Sequence, residues 1–113
     1  MHELSIMQEA VRLAEETAKS SGADRVLMLR LRVGALNSAV PEALRFAFDV
    51  ASRGTIVQDA ALDIESVSIA YWCATCRTEF APADFENECP RCHNLSGELR
   101  RGRELEIASV EVN

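Results

Sequence analysis

Two Cys-x-x-Cys pairs carry the strongest chemical signal in the chain. Cys73 and Cys76 lie in "CATC", Cys89 and Cys92 lie in "CPRC", and 12 residues separate the pairs. Each pair can bind one ion from a tight turn, and four thiolates complete a tetrahedral Zn²⁺ site with Zn–S bonds of about 2.3 Å. Such an arrangement is typical of a zinc ribbon, although the usual gap between the pairs is about 15–20 residues. Because four thiolates leave no open coordination position, we predict a structural rather than a catalytic zinc site.

The residue types and spacing also allow other interpretations of the cysteine segment. A single Cys-x-x-Cys pair can also be a redox pair, so a thiol redox enzyme with reversible disulfides and no bound zinc is an alternative. His93 follows Cys92 and could substitute as a ligand, but with four cysteines present we expect it to be a bystander. Trp72, beside Cys73, is expected to pack against the ribbon rather than bind a ligand.

The first three residues, Met1, His2 and Glu3, form a second group that could bind a metal. The free amine of Met1, the backbone nitrogen of His2 and the His2 imidazole can reach one ion and close adjacent chelate rings. Glu3 could add a further ligand. Such a nitrogen and oxygen set favours a flat arrangement, which suits Ni²⁺ or Cu²⁺ better than Zn²⁺. A histidine at position 2 is equally typical of a solvated chain end, and chain ends tolerate change.

Composition excludes several classes of function. The 113-residue chain is 48% hydrophobic and carries a net charge of −6, which opposes a nucleic-acid partner because phosphates are neutralised by clustered Lys and Arg. We expect no membrane span and no secretory signal, hence a cytoplasmic protein whose cysteines bind metal rather than form disulfides. Neither a phosphate-binding Gly-x-x-x-x-Gly-Lys loop nor a nucleophile–base motif is found, so we predict that the protein is not an enzyme.

Hydrophobic periodicity predicts the elements that must position both groups. Amphipathic helices are predicted over 4–20 and 41–54, and half-buried strands over 25–33, 61–72 and 104–112. The alternation of the second strand changes phase near Ser66, which predicts a bulge or an exit from the sheet. Two helices can cover one face of a three-stranded sheet. Since the last strand follows the cysteines, the cysteine unit is predicted to be an insertion.

These elements predict an α+β fold: a small three-stranded sheet covered by two helices, with an inserted zinc-ribbon-like module of four cysteines. We predict a domain made of residues 1–70 plus 102–113, which carries the N-terminal group, and a zinc-binding domain over residues 71–101. The segment between the cysteine pairs, "RTEFAPADFENE", is too polar to build a core. Metal binding is therefore expected to supply the folding energy of the smaller domain.

Several stretches together resemble the HypA/HybF family of hydrogenase nickel incorporation proteins: "MHELSIMQEAV", "VGALNSAVPEALRFAFD", "RGT", "CATC" and "CPRC". The resemblance runs from end to end. It implies a nickel metallochaperone that matures [NiFe]-hydrogenase, with Ni²⁺ as cargo at Met1, His2 and Glu3. It also implies structural Zn²⁺ on the four cysteines, Cys73, Cys76, Cys89 and Cys92. At the position of His93, glycine is common in the family.

The resemblance further implies two partners, a nickel-binding GTPase and the hydrogenase large subunit, and leaves open whether urease is a second client. We expect a monomer or a weak homo-oligomer. The alternative is a zinc-ribbon module that binds protein or nucleic acid and has no nickel function. Residues 71–101 contain four Arg against five Asp or Glu, which opposes the nucleic-acid version.

Overall fold

The computed structural model describes residues 3–37, 40–83 and 86–113. In chain order the elements are α1 (Glu3–Ser20), β1 (Val26–Gly34), a 3₁₀ turn (Ala35–Asn37), α2 (Pro41–Ser52), β2 (Ala61–Val67), β3 (Ala70–Cys73), β4 (Thr78–Phe80), β5 (Leu99–Arg101) and β6 (Leu105–Val112). The strands form two three-stranded sheets, one in the order β2-β1-β6 and one in the order β4-β3-β5. The predicted α+β class, with two helices and the sheet of 25–33, 61–72 and 104–112, is confirmed in its main elements.

The described residues fall into two compact units. The first unit contains those within Met1–Arg32, Ala39–Glu65 and Glu106–Asn113, and the second unit contains those within Val33–Ser38 and Ser66–Leu105. The sequence suggests two domains, one made of residues 1–70 plus 102–113 and one of residues 71–101. That division stays a prediction. None of the described helices is long and apolar enough to cross a membrane.

Helix α1 buries one stripe of small and medium apolar side chains, as its periodicity predicts. The buried residues are Ile6, Met7, Ala10, Val11, Ala14 and Ala18. The helix ends where "SSG" predicts: the N–H of Gly22 donates to the carbonyl of Lys19 at 3.1 Å, and that of Ala23 donates to the carbonyl of Ala18 at 2.9 Å. Gly22 has φ +73°, a left-handed conformation that glycine adopts without the steric cost of a Cβ.

Helix α2 begins with Pro41 in its first turn, where the missing proline N–H costs no hydrogen bond. It packs against α1. Leu44, Ala47 and Phe48 are buried on one side, whereas Phe46 is 71% exposed on the other. The largest fully buried side chains of the first unit come from both helices, from β1 and from the loop before β2: Met7, Val26, Leu29, Leu44 and Val57.

Strand β1 lies at the centre of the first sheet and has one apolar and one charged face. Leu29, Leu31 and Val33 are buried. On the other face, Arg30 pairs with Asp63 of β2 at 2.7 Å, and Arg32 pairs with Glu106 of β6 at 2.9 Å. These ion pairs are exposed, so solvent screening leaves each of them only a small contribution to stability. The alternation of Leu and Arg therefore predicts the two faces correctly from Leu29 to Val33, whereas Leu27, which the same alternation places on the apolar face, is 53% exposed.

The phase change near Ser66 marks an exit from the sheet. Strand β2 ends at Val67, and β3 begins at Ala70 in the second sheet. There β3 pairs antiparallel with β4, with Tyr71 opposite Phe80 and Cys73 opposite Thr78, and it pairs antiparallel with β5 on its other side. The single strand predicted over 61–72 is thus two strands in different sheets.

Gly34 and Gly102 meet within the second unit at a contact that leaves no room for a side chain. A Cβ on Gly34 would lie 2.2 Å from the carbonyl carbon of Gly102. The approach is fixed by backbone hydrogen bonds from Gly34 N to Glu104 O at 2.7 Å and from Leu36 N to Gly102 O at 2.8 Å. Asn37 adds a side-chain bond from Nδ2 to the Glu104 carbonyl at 2.6 Å.

We expect Gly34→Ala to lower the free energy of unfolding by about 2–3 kcal/mol, because the backbone must move apart to admit the methyl group. Gly97→Ala is the matched control, since nothing lies within 4 Å of a Cβ built there. Its effect should stay within about 0.5 kcal/mol. Thermal and urea unfolding followed by circular dichroism measure both, and equal stability of the two variants would contradict the close contact.

Candidate metal centre

The four cysteines are brought together in the second unit. Cys73 is the last residue of β3, Cys76 lies in the turn that leads to β4, and Cys89 and Cys92 lie beside the bridge between Glu88 and Leu95. All four sulfur atoms lie within 4.8 Å of one another. The Sγ atoms of Cys73 and Cys92, one from each pair, are 3.5 Å apart.

This spacing fits a tetrahedral ion. With Zn–S bonds of about 2.3 Å, the sulfur atoms of a tetrahedral site are about 3.8 Å apart. The cysteine centre is also the one group of three or more His, Cys, Asp or Glu side chains with this spacing in the described ranges. Thiolates are the ligands that select soft or borderline ions. The donor set therefore fits a metal of the zinc type.

Each cysteine pair is followed by a residue in the left-handed backbone region. Arg77, after Cys76, has φ 52°, and His93, after Cys92, has φ 64°. In this region a residue with a Cβ costs roughly 1–2 kcal/mol, which is why glycine is favoured there. A glycine at the position of His93 would therefore adopt this backbone conformation without that cost. The His93 side chain lies outside the sulfur cluster, with Nδ1 3.5 Å from Glu88 Oε1.

The cysteines make up most of one small core cluster in the second unit. Cys73, Phe80 and Cys89 are buried, and Cys76, Cys92 and Tyr71 pack against them. The rings of Tyr71 and Phe80 stack with their centroids 5.8 Å apart. The Trp72 ring, predicted to pack against the ribbon, is covered by the guanidinium of Arg100 at 4.7 Å from its centroid.

The protein environment makes the thiols unequal. A hydrogen bond with Cys92, burial and the remaining cysteines raise the pKa of Cys76 to about 12. The backbone N–H groups of Cys92 and Arg91 stabilise the Cys89 thiolate and lower the pKa of Cys89 to about 7. Near neutral pH, Cys89 is therefore partly present as the thiolate that binds metal, whereas Cys76 must first give up a proton.

The predicted N-terminal group is only partly described. Met1 and His2 lie outside the described residues. Glu3 is the first residue of α1 and is half-buried. Its carboxylate lies in the first turn of the helix, where the partial positive charge of the helix end favours an anion.

Comparison with known proteins completes the description of the site. The family model for "Hydrogenase/urease nickel incorporation, metallochaperone, hypA" matches residues 1–112. The chain belongs to the HypA family. Its relatives include the hydrogenase maturation factors HypA of a Picosynechococcus species and of Methylocella silvestris, each 42% identical over 112 residues and each aligned over 99% of both chains. The resemblance to the HypA/HybF family is thus confirmed.

Solved structures agree with the family assignment. The solution structure of the Ni metallochaperone HypA from Helicobacter pylori is 26% identical, with a TM-score of 0.71, and covers 99% of this chain and 97% of that one. A second solution structure of a HypA protein is 27% identical, with a TM-score of 0.75, over 100% of this chain and 97% of that one. As a HypA protein the chain is a metallochaperone for hydrogenase maturation and not an enzyme, as predicted.

Sequence reasoning did not single out the polar residues around the centre. Asn87, Asn94 and Ser96 make side-chain hydrogen bonds next to the cysteines. Two of these bonds go to backbone carbonyls, and the third joins two turns 19 residues apart. Such partners leave no spacing pattern in the sequence, so only the structure reveals them.

Proposed function

We propose that this HypA protein binds Ni²⁺ as cargo at its N-terminus, through Met1, His2 and Glu3, and delivers it during the maturation of [NiFe]-hydrogenase. In this proposal Cys73, Cys76, Cys89 and Cys92 hold a structural Zn²⁺. The observation that supports this proposal most is the family match over residues 1–112, which includes the Met-His-Glu start. The description of that family names nickel incorporation.

The chemistry of the N-terminal residues supports nickel over zinc. The amine, the deprotonated backbone amide of His2 and the imidazole form a flat nitrogen set, which Ni²⁺ accepts and tetrahedral Zn²⁺ does not favour. Helix α1 starts at Glu3, directly after these donors in the chain. A helix N-terminus stabilises negative charge, and this supports a deprotonated amide next to it in the chain.

The chemistry of the second unit supports zinc on the cysteines. Four sulfurs at tetrahedral spacing satisfy a Zn²⁺ ion completely and leave no position for a substrate. The ion then shapes the unit rather than reacting. Nickel and zinc therefore occupy separate sites with different donor atoms.

We further propose that the partners are a nickel-binding GTPase and the large subunit of the hydrogenase. The absence of a phosphate-binding loop in this sequence supports a separate GTPase, because the chain has no means of coupling metal release to nucleotide hydrolysis. The thiol-rich centre supports a reducing, cytoplasmic location, and the proposed oligomeric state is a monomer or a weak homo-oligomer. Neither nucleic acid nor a membrane is a proposed partner.

Metal analysis of the untagged protein after exposure to both Ni²⁺ and Zn²⁺ tests this function. We expect one zinc and one nickel per chain, with X-ray absorption showing zinc among sulfurs and nickel among nitrogens and oxygens. A zinc ion without any nickel would favour the alternative, a zinc-ribbon module without nickel function. Reversible disulfides with no bound metal would favour the thiol redox enzyme.

Zinc affinity should fall as the pH falls. The pKa of Cys76 is about 12 in the metal-free centre, and the pKa of Cys92 is raised by burial and by the neighbouring cysteines, so zinc must displace the protons of both thiols throughout the neutral range. Below about pH 7 it must also displace the proton of Cys89, whose pKa is about 7. Each displaced proton weakens binding about tenfold per pH unit. Chelator competition between about pH 8 and about pH 6 measures the slope, and a flat profile would contradict thiolate ligation.

A further inference from the structure

Side chains other than those of the four cysteines connect the two cysteine pairs of the metal centre. We call Cys73–Arg77 the first knuckle and Cys89–His93 the second knuckle. Asn94, directly after the second knuckle, donates from Nδ2 to Oγ1 of Thr75 in the first knuckle at 2.9 Å. Thr75 lies between Cys73 and Cys76, so this bond reaches the middle of the opposite turn.

The backbone of Asn94 is bonded to its own knuckle. Its carbonyl accepts from the N–H of Cys89 at 3.0 Å. A shift of Asn94 would therefore move the second pair of sulfurs relative to the first. Asn94 therefore bonds to both knuckles without being a ligand.

Ser96 makes a second link on a more buried path. Ser96 is only 8% exposed. The hydroxyl donates to the backbone carbonyl of Trp72, the residue before Cys73, and accepts from the N–H of Glu98 at 3.2 Å. Ser96 is also bonded to Asn87, which lies two residues before Cys89. The N–H of Ser96 donates to the carbonyl of Asn87 at 2.9 Å, and Nδ2 of Asn87 donates to the carbonyl of Ser96 at 2.6 Å.

We propose that Asn94 and Ser96 are positioning residues that hold the second knuckle against the first and slow the release of the ion from the four-cysteine centre. The inference rests on the proposed function only in that the cysteines hold Zn²⁺. The ion leaves after one pair of sulfurs separates from the other. The two side-chain links keep the knuckles close when a Zn–S bond breaks, so rebinding of the sulfur is faster than loss of the ion.

The rate of zinc transfer to an excess of a chromophoric chelator tests this. Thr75→Val removes the hydroxyl that accepts from Asn94 while keeping the shape of the side chain, and Ser96→Ala removes the buried hydroxyl. Each should speed release about tenfold, because loss of a group that supports metal ligands typically costs 10–100-fold. Thr78→Val is the matched control. The Thr78 hydroxyl makes only a long bond of 3.4 Å to its neighbour Glu79, so this variant should release zinc at the wild-type rate.

Two further measurements separate positioning from a general loss of structure. Thr75→Ser retains the hydroxyl and should restore slow release. Thr75→Val combined with Asn94→Ala should be no faster than Thr75→Val alone, because both changes remove the same bond. The Co²⁺-substituted variants should keep the absorption bands of four-thiolate coordination, which shows that the ligands are unchanged.

The outcomes distinguish the two proposals. Wild-type release rates in both Thr75→Val and Ser96→Ala would overturn the positioning role while leaving zinc binding intact. Failure of the wild-type protein to bind Zn²⁺ or Co²⁺ through its thiols would instead overturn the proposed zinc site. Should Ser96→Ala not fold, the comparison of Thr75→Val with Thr75→Ser decides the matter alone.

Discussion

His2→Ala is expected to lower the affinity for Ni²⁺ at least about 100-fold while leaving bound zinc unchanged. The imidazole is one of three nitrogen donors in the proposed N-terminal group, and without it the amine and amide close a single chelate ring. Altering only a group that supports a metal ligand costs about 10–100-fold, so removing a ligand itself should cost more. Competition with a nickel chelator measures the affinity, and metal analysis of the same samples reports the zinc.

The chain offers a matched control because it contains just two histidines. His93→Gly removes the other imidazole at a position where φ is 64°, so glycine relieves backbone strain instead of adding it. It should bind nickel as the wild type does. Equal loss of nickel in both variants, or wild-type affinity in His2→Ala, would show that the His2 imidazole is not a ligand.

The role of the Met1 amine needs a separate test, and the length of an added segment matters. One extra residue would place the histidine third in the chain, where a new amine, two amides and the imidazole can again surround a flat ion. An extension of several residues, or acetylation of the amine, removes the terminal donor without creating that set. We expect either change to weaken nickel binding strongly, and unchanged affinity would exclude the amine.

Features that depend on neighbouring residues could be predicted from the sequence. The Leu and Arg alternation of β1 fixes which face is buried, because successive side chains of a strand point to opposite sides. Pro41 and Gly22 mark helix ends through their own backbone restrictions. The spacing of the cysteines predicts that each pair lies in one turn, and the structure brings all four sulfurs together.

Features that depend on distant backbone contacts could not be predicted. The contact of Gly34 with Gly102 leaves no trace except two glycines far apart in the chain. The switch of the chain between sheets after Val67 was visible only as a change of phase, which a bulge would produce equally well. Met1 and His2, the proposed nickel ligands, lie outside the described residues, so that part of the site stays a prediction.

Cys76→Ser is expected to release zinc and to unfold residues 71–101 while the helices and the first sheet persist. A serine hydroxyl is a far poorer zinc ligand than a thiolate, so affinity should fall at least about 100-fold. The segment 71–101 is expected to depend on the ion because, beyond the cysteines, its core cluster contains only Phe80 and Tyr71. A segment of this size usually needs a metal or disulfides to fold.

Ala74→Ser is the matched control, since it adds a hydroxyl to the same turn at an exposed position and leaves all four thiols in place. Amide NMR spectra of the two variants should differ only in signals from residues 71–101, which collapse into the unfolded range in Cys76→Ser. The core around Met7, Leu29 and Leu44 contains no cysteine, so its signals should remain dispersed. Collapse of the whole spectrum would show that zinc stabilises the entire chain, and the division into two independently folding domains would then be wrong.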